Sequence, residues 1–168
     1  MDNLFLIGMS GAGKSTLGVL LAKALGMDFL DTDILLQQRT GRLLQELLDE
    51  EGMEAFLQAE EDILASLQVH RCVVATGGSA VYSRRGMEHL RQCGRIVYLR
   101  VSYEEIARRV TDITTRGVVL RQGHDLRDAY EERLPLYERY SDLTVDCTGR
   151  QIEETLRLIL AGLAELSS

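Results

Sequence analysis

Cysteine is scarce and dispersed in this chain. Cys72, Cys93 and Cys147 are its only three, and none belongs to a C-x-x-C pair. Cys72 and Cys147 lie beside or within apolar, strand-like runs, so they read as buried thiols in a reducing compartment rather than a disulfide framework. The three histidines, His70, His89 and His124, show no metal-ligand spacing. There is one proline, Pro135, and no internal repeat, low-complexity tract or Pro/Gly/Ser linker. No apolar run is long enough to span a bilayer, and Met1-Asp2-Asn3 lacks the basic flank of a secretion signal. A cytoplasmic protein without a membrane partner is therefore expected. The net charge of −7 argues against nucleic acid, which needs a basic footprint. An acidic chain that binds polyphosphate must gather its positive groups locally.

With 168 residues, 45% apolar and 27% charged, the sequence is sized for one domain, 1–168, with a proper core. A monomer is expected. Short apolar runs alternate with helical patterns, the rhythm of a parallel sheet covered on both faces. The strand-like runs are Leu4–Ile7, Asp28–Leu30, Cys72–Ala75, Ile96–Leu99 and Leu143–Val145. Helical periodicity predicts helices over Lys14–Leu25, Gly52–Gln68, Arg84–Cys93, Tyr103–Val110, Asp125–Tyr140 and Ile152–Leu166. Residues 38–51 fit this scheme poorly and read as an inserted helix or helix pair. Residues 111–124, "TDITTRGVVLRQGH", have no sustained period, and a loop of that length in a compact domain suggests a lid.

The most specific signal is Gly8-Met9-Ser10-Gly11-Ala12-Gly13-Lys14-Ser15, a full G-x-x-x-x-G-K-[ST] between a predicted strand and a predicted helix. Phosphate oxygens must approach backbone N–H groups closely, and Cβ atoms would obstruct both that approach and the required dihedrals. The helix beginning near Lys14 adds unsatisfied N–H groups and the positive end of its dipole. Gly11, Ala12, Gly13, Lys14, Ser15 and Thr16 are thus the nucleotide-binding candidates. Lys14 is expected on the β/γ phosphates and the Ser15 hydroxyl on Mg²⁺. No N-K-x-D type of guanine-reading motif follows.

After the second strand comes "FLDTDILL", with Asp31 and Asp33 at the C-terminal edge where open parallel sheets bind ligands. On extended chain, carboxylates two residues apart point the same way. One suits the Mg²⁺ shell, which assigns Asp31 to the metal beside Ser15. The other suits an acceptor hydroxyl, as base or orienting group, which assigns Asp33 to catalysis. The competing reading is that both merely cap the next helix. Gly77-Gly78, ending the third strand in "VVATGGSAV", permits close backbone approach to a ligand or simply makes a turn.

Several features occur in order: the phosphate loop, the D-x-D, G-x-x-x-F-x-x-x-E at Gly52 to Glu60, T-G-G at 76–78, Arg116, and "ERLPLYERYSDLTVD" from Glu132 to Asp146. Together they resemble shikimate kinase over nearly the whole chain. The resemblance implies an α/β P-loop kinase fold, with a five-stranded parallel sheet sandwiched by helices. It also implies a helical acceptor-binding insert at about 33–61 and a mobile lid at about 110–125. ATP with Mg²⁺ is the implied phosphoryl donor. Arg116 would contact its phosphates from the lid, Asp33 the acceptor hydroxyl, and Arg133 the acceptor carboxylate.

Three departures from the family pattern stand out. Leu57 occupies the place of an arginine that, in the family, helps clamp the shikimate carboxylate. Ser79 follows Gly77-Gly78 where a third glycine is usual, and the lid reads Arg116-Gly117-Val118-Val119 rather than R-P-L-L. Losing one charge-assisted contact to a carboxylate costs roughly 2–5 kcal/mol of acceptor binding. Leu57 also continues an apolar stripe with Met53 and Leu64 and is readable as core, while Arg42 is a candidate replacement. Without an arginine one turn away, Glu60 would seek another cation, and an acceptor ammonium would supply one. The acceptor expected on this basis is an amino acid, L-homoserine, with Arg133 on its carboxylate and Glu60 on its ammonium. The alternatives are shikimate, converted to shikimate 3-phosphate, another small alcohol such as a sugar acid or nucleoside monophosphate, or a non-catalytic ATP-binding regulatory module.

Overall fold

The computed structural model describes residues 3–111 and 118–168. Five parallel strands form one sheet in the order β2-β3-β1-β4-β5: β1 (Leu4–Ile7), β2 (Asp28–Asp31), β3 (Cys72–Ala75), β4 (Arg95–Arg100) and β5 (Leu143–Asp146). β1 lies at the centre, pairing Leu4 with Val73 on one side and with Arg95 on the other. Its four residues Leu-Phe-Leu-Ile are wholly buried, the continuous apolar run required of a strand covered on both faces. The edge strand β5 alternates apolar and polar residues, β2 flanks its apolar pair Phe29-Leu30 with aspartates, and both are only partly covered.

Among the described residues, seven helices flank the sheet: α1 (Lys14–Leu25), α2 (Thr32–Thr40), α3 (Leu44–Ala65), α4 (Arg84–Cys93), α5 (Tyr103–Thr111), α6 (Leu126–Tyr140) and α7 (Ile152–Leu166). A short 3₁₀ helix, Ala80–Tyr82, precedes α4. The chain leaves β1 for the edge, returns through β3, and crosses β1 to reach β4. The topological switch therefore lies at β1, and the loops after β1 and β3 share one crevice at the carboxyl ends of the strands.

The irregular 38–51 region resolves into the end of α2 and the start of α3, separated by Gly41 at φ 68°. The predicted helix from Gly52 is the rear part of α3, which breaks at Gly52 itself (φ 86°, ψ 175°). This broken pair has its own small core of Leu36, Leu47, Phe56 and Ile63, joined by Val119 from the segment after α5. Leu57 is half-buried against that cluster, as a continuation of the apolar stripe requires. The insert thus forms a wall above the crevice.

Candidate active site

The phosphate loop wraps the end of β1. Gly11 and Gly13 adopt φ values of 84° and 95°, which a Cβ would strain, and Gly13 precedes the first residue of α1. A Cβ on Gly8 would stand 2.7 Å from the Leu99 carbonyl oxygen, so the turn must begin with glycine to pass β4. Lys14 is buried, and its Nζ donates to the carbonyls of Gly8 (2.6 Å) and Met9 (2.7 Å). Ser15 and Thr16 are exposed at the mouth. Ala12 also turns inward: it is buried, and its N–H donates to the Met9 carbonyl within the loop.

Asp31 performs two tasks at once. Its Oδ1 accepts the N–H groups of Asp33 (2.9 Å) and Ile34 (3.3 Å), capping α2, while its Oδ2 accepts the Ser15 hydroxyl at 2.6 Å. The capping and site readings of Asp31 are therefore compatible. The extended-chain reading of Asp31 and Asp33 needs correction. β2 ends at Asp31, and Asp33 lies in the first turn of α2. The two carboxylates reach the same crevice because the cap turns the chain there, not through strand alternation.

One cavity of about 230 Å³ is lined by Gly11, Gly13, Lys14, Ser15 and Thr16 on the nucleotide side. Asp31, Asp33, Gly77, Gly78, Ser79 and Arg133 line the rest of it, roofed by Phe56 and Val119. The glycine pair is where the two halves meet. A Cβ on Gly78 would stand 2.9 Å from both the N and Oγ of Ser10 and 3.3 Å from Arg133 Nη1. A Cβ on Gly77 would stand 2.6 Å from Glu60 Oε2 and 2.8 Å from Asp33 Oδ1. Asp33, Glu60 and Arg133 thus converge on the glycine pair from α2, α3 and α6.

Arg133 is held as a rigid fork. Its Nε donates to the Tyr82 hydroxyl at 3.1 Å and its Nη2 to the Val119 carbonyl, while Nη1 has no hydrogen-bond partner among the described residues. One turn on, the Tyr137 hydroxyl donates to the Gly78 carbonyl at 2.6 Å, and burial holds that phenol well above its ordinary pKa. Glu60 is 4% exposed. Its Oε1 accepts the Ser79 hydroxyl at 2.7 Å, and its Oε2 has no hydrogen-bond partner among the described residues. Burial is the main cause lifting its pKa from 4.5 to about 7; Ser79, Arg133 and Lys14 pull it down, and Asp33 pushes it up.

Arg116, the predicted lid contact, lies outside the described residues. Arg42 does not reach the cavity; its guanidinium meets Glu50 and Glu51 at 3.0 and 2.7 Å. Arg121 is tied to Glu132 at 3.0 Å. Sequence reasoning passed over Tyr137 and Arg109, and noted Ser79 only as a departure from the family pattern. Ser79 binds Glu60, Tyr137 holds Gly78, and Arg109 Nη1 donates to the Gly11 carbonyl at 2.9 Å. The Arg133–Tyr137 spacing of four on one helix was a legible signal for the second; nothing local marks the other two.

Comparison with known proteins gives a consistent result. Residues 10–164 match the family model described as shikimate kinase. A shikimate kinase of Thiobacillus denitrificans is 40% identical, over 98% of this chain and 91% of its own length. One from Synechococcus sp. is 41% identical over 98% and 85%. The shikimate kinase of Acinetobacter baumannii, solved in complex with shikimate, superposes with a TM-score of 0.89 at 30% identity, covering 98% of this chain and 94% of that one. The expectation of a homoserine acceptor is overturned by these relatives, which are named for shikimate. Its physical premise also fails, because Glu60 is not an orphan awaiting an ammonium: the Ser79 hydroxyl already engages it. A glycine-rich cradle and an acid–arginine half share one cavity and meet at Gly77-Gly78 on a P-loop kinase fold, and with the family match and these relatives the chain belongs to the shikimate kinase family of ATP-dependent kinases that phosphorylate a hydroxyl group.

Proposed function

We propose that the acceptor is shikimate and the product shikimate 3-phosphate. The observation that carries this reading is the convergence of the Asp33 carboxylate and the unpartnered Arg133 Nη1 on the glycine pair that adjoins the phosphate loop. The likeness to a shikimate kinase solved with shikimate supports the same acceptor. In this reading Arg133 binds the acceptor carboxylate, and its two fixed bonds leave Nη1 preorganised for it. Glu60 and the Gly77-Gly78 backbone complete the pocket.

Asp33 orients the reacting hydroxyl and takes its proton as the oxygen attacks the γ-phosphorus. The bond to the β-phosphate oxygen breaks as the new O–P bond forms, and ADP leaves. Lys14, with Arg116 from the lid, stabilises charge on the transferring oxygens. The oxygen donors Ser15 and Asp31, at 2.6 Å from one another on the nucleotide side, fit a hard divalent cation that keeps most of its other ligands from water and phosphate. Mg²⁺ bound there would neutralise phosphate charge. Ser15 and Asp31 would then exchange their mutual hydrogen bond for the metal.

The test is an ADP-release assay with shikimate, L-homoserine, gluconate and nucleoside monophosphates side by side. Shikimate should give the highest kcat/KM, and Lys14→Ala or Asp33→Ala should abolish transfer. Preference for any other acceptor in that panel would remove the reading.

A further inference from the structure

Two departures from the family pattern, Leu57 and Ser79, fall on the same carboxylate. Ser79 stands before the 3₁₀ helix Ala80–Tyr82, where a serine hydroxyl ordinarily caps the helix, yet it makes no cap hydrogen bond. Ser83, four residues on, does cap its helix by accepting the Gly86 N–H. The Ser79 hydroxyl is turned away to donate to Glu60 Oε1, and both residues are buried. That bond leaves Glu60 Oε2 buried over Gly77, next to Asp33 Oδ1 and with no hydrogen-bond partner among the described residues. Glu60 borders a second cavity of about 240 Å³, lined also by Glu54, Leu57, Gln58, Glu61, Ser79 and Tyr82.

We propose that Ser79 is a positioning residue for acceptor binding: its hydroxyl holds Glu60 so that Oε2 receives an acceptor hydroxyl above Gly77, and the ionisation of Glu60 controls acceptor affinity. This rests on the shikimate reading for its substrate but not for its geometry. A neutral hydroxyl does the work that a guanidinium at position 57 would do, with a different electrostatic result. A cation one turn away would keep Glu60 ionised throughout. A serine favours the anion only modestly, so burial leaves the carboxyl titrating at about 7. The charged and titratable groups around it are Asp33 from α2, Lys14 from α1, Arg133 and Tyr137 from α6, Tyr82 from the 3₁₀ helix, and Glu54 and Glu61 of α3, which share the second cavity with it.

The ionised form accepts a hydroxyl hydrogen bond more strongly than the neutral acid, so acceptor KM should rise as pH falls through 7, with kcat little changed. Removing the Ser79 hydroxyl removes a contact that lowers the Glu60 pKa, moving this limb to higher pH. A displacement of one unit raises KM at pH 7 about fivefold. Leu57→Arg, which puts a guanidinium into the second cavity, should move the limb to lower pH.

The experiment is a pH series of acceptor KM and kcat for the full chain with ATP and shikimate. It compares wild type, Ser79→Ala, Ser79→Thr, Glu60→Gln and the Glu60→Gln/Ser79→Ala double variant. A ¹³C NMR titration of the Glu60 carboxyl in ligand-free wild type and Ser79→Ala accompanies it. Support is an upward-shifted limb in Ser79→Ala, recovery in Ser79→Thr, no limb in Glu60→Gln, and no added shift in the double variant. An unchanged KM profile in Ser79→Ala, or a limb that survives Glu60→Gln, overturns the proposal. If shikimate is not phosphorylated but the NMR midpoint still moves in Ser79→Ala, the acceptor assignment fails and the Ser79–Glu60 coupling stands. An unmoved midpoint removes the coupling whatever the acceptor.

Discussion

Gly77→Ala is a single-methyl probe of the acceptor pocket. Gly77 has no positive φ, so alanine suits its backbone and, by restricting the unfolded chain, would alone stabilise by about 0.4–1 kcal/mol. The added methyl, however, meets Glu60 Oε2 at 2.6 Å and Asp33 Oδ1 at 2.8 Å. Each oxygen must retreat by roughly 0.6–0.8 Å to reach an ordinary contact. Glu60 is held by Ser79 and Asp33 by the first turn of α2, so both carboxylates leave their aim together. A displacement of that size at the groups proposed to orient the acceptor costs on the order of 100-fold in rate, or about 2.7 kcal/mol of transition-state stabilisation. The phosphate loop is not touched. Steady-state kinetics with shikimate should show kcat/KM reduced about 100-fold, while ATP affinity by calorimetry and the thermal midpoint stay near wild type. Gly78→Ala is the internal contrast, because its methyl strikes the Ser10 N and Oγ at 2.9 Å and should weaken both substrates. Wild-type turnover in Gly77→Ala, or a parallel loss of ATP binding, would refute the geometry.

Arg133→Lys replaces three spaced nitrogens by one, which cannot hold Tyr82 and Val119 and also present a donor at the Nη1 position, so acceptor KM should rise by tens of fold, roughly 2–3 kcal/mol, with ATP KM unchanged; steady-state kinetics decide. Asp31→Asn keeps an acceptor for capping α2 but removes the charge that faces Ser15. It should raise the Mg²⁺ concentration needed for half-maximal rate by more than about tenfold while thermal stability holds within roughly 1 kcal/mol, and chelation with EDTA should abolish transfer in both proteins. Glu60 predicts a stability slope. Its folded pKa of about 7 exceeds the ordinary 4.5, so stability present below pH 4.5 is lost as pH rises through 7, by about 3 kcal/mol. Urea denaturation should therefore show Glu60→Gln gaining on wild type between pH 5 and 8, and equal slopes for the two proteins would count against the burial argument.

What the sequence settled alone is local in origin. The Gly8–Ser15 spacing, the apolar run at β1 and the helix periods each arise from residues within one or two turns of one another. All five strand-like runs therefore became strands, with β2 and β5 each ending one residue later and β4 gaining one residue at each end. The Gly41 and Gly52 breaks were written in the chain too, but their effect, a broken helix pair with its own core, depends on Val119 packing from far along the sequence. Tertiary structure alone decided the partner of Glu60. An empty position at Leu57, one turn away, suggested a missing cation. The replacement came from Ser79, nineteen residues on, because α3 and the loop after β3 bury those two polar groups against each other. A buried carboxylate takes whatever donor the fold brings within reach, and no spacing rule along one helix can name a donor that arrives from another strand.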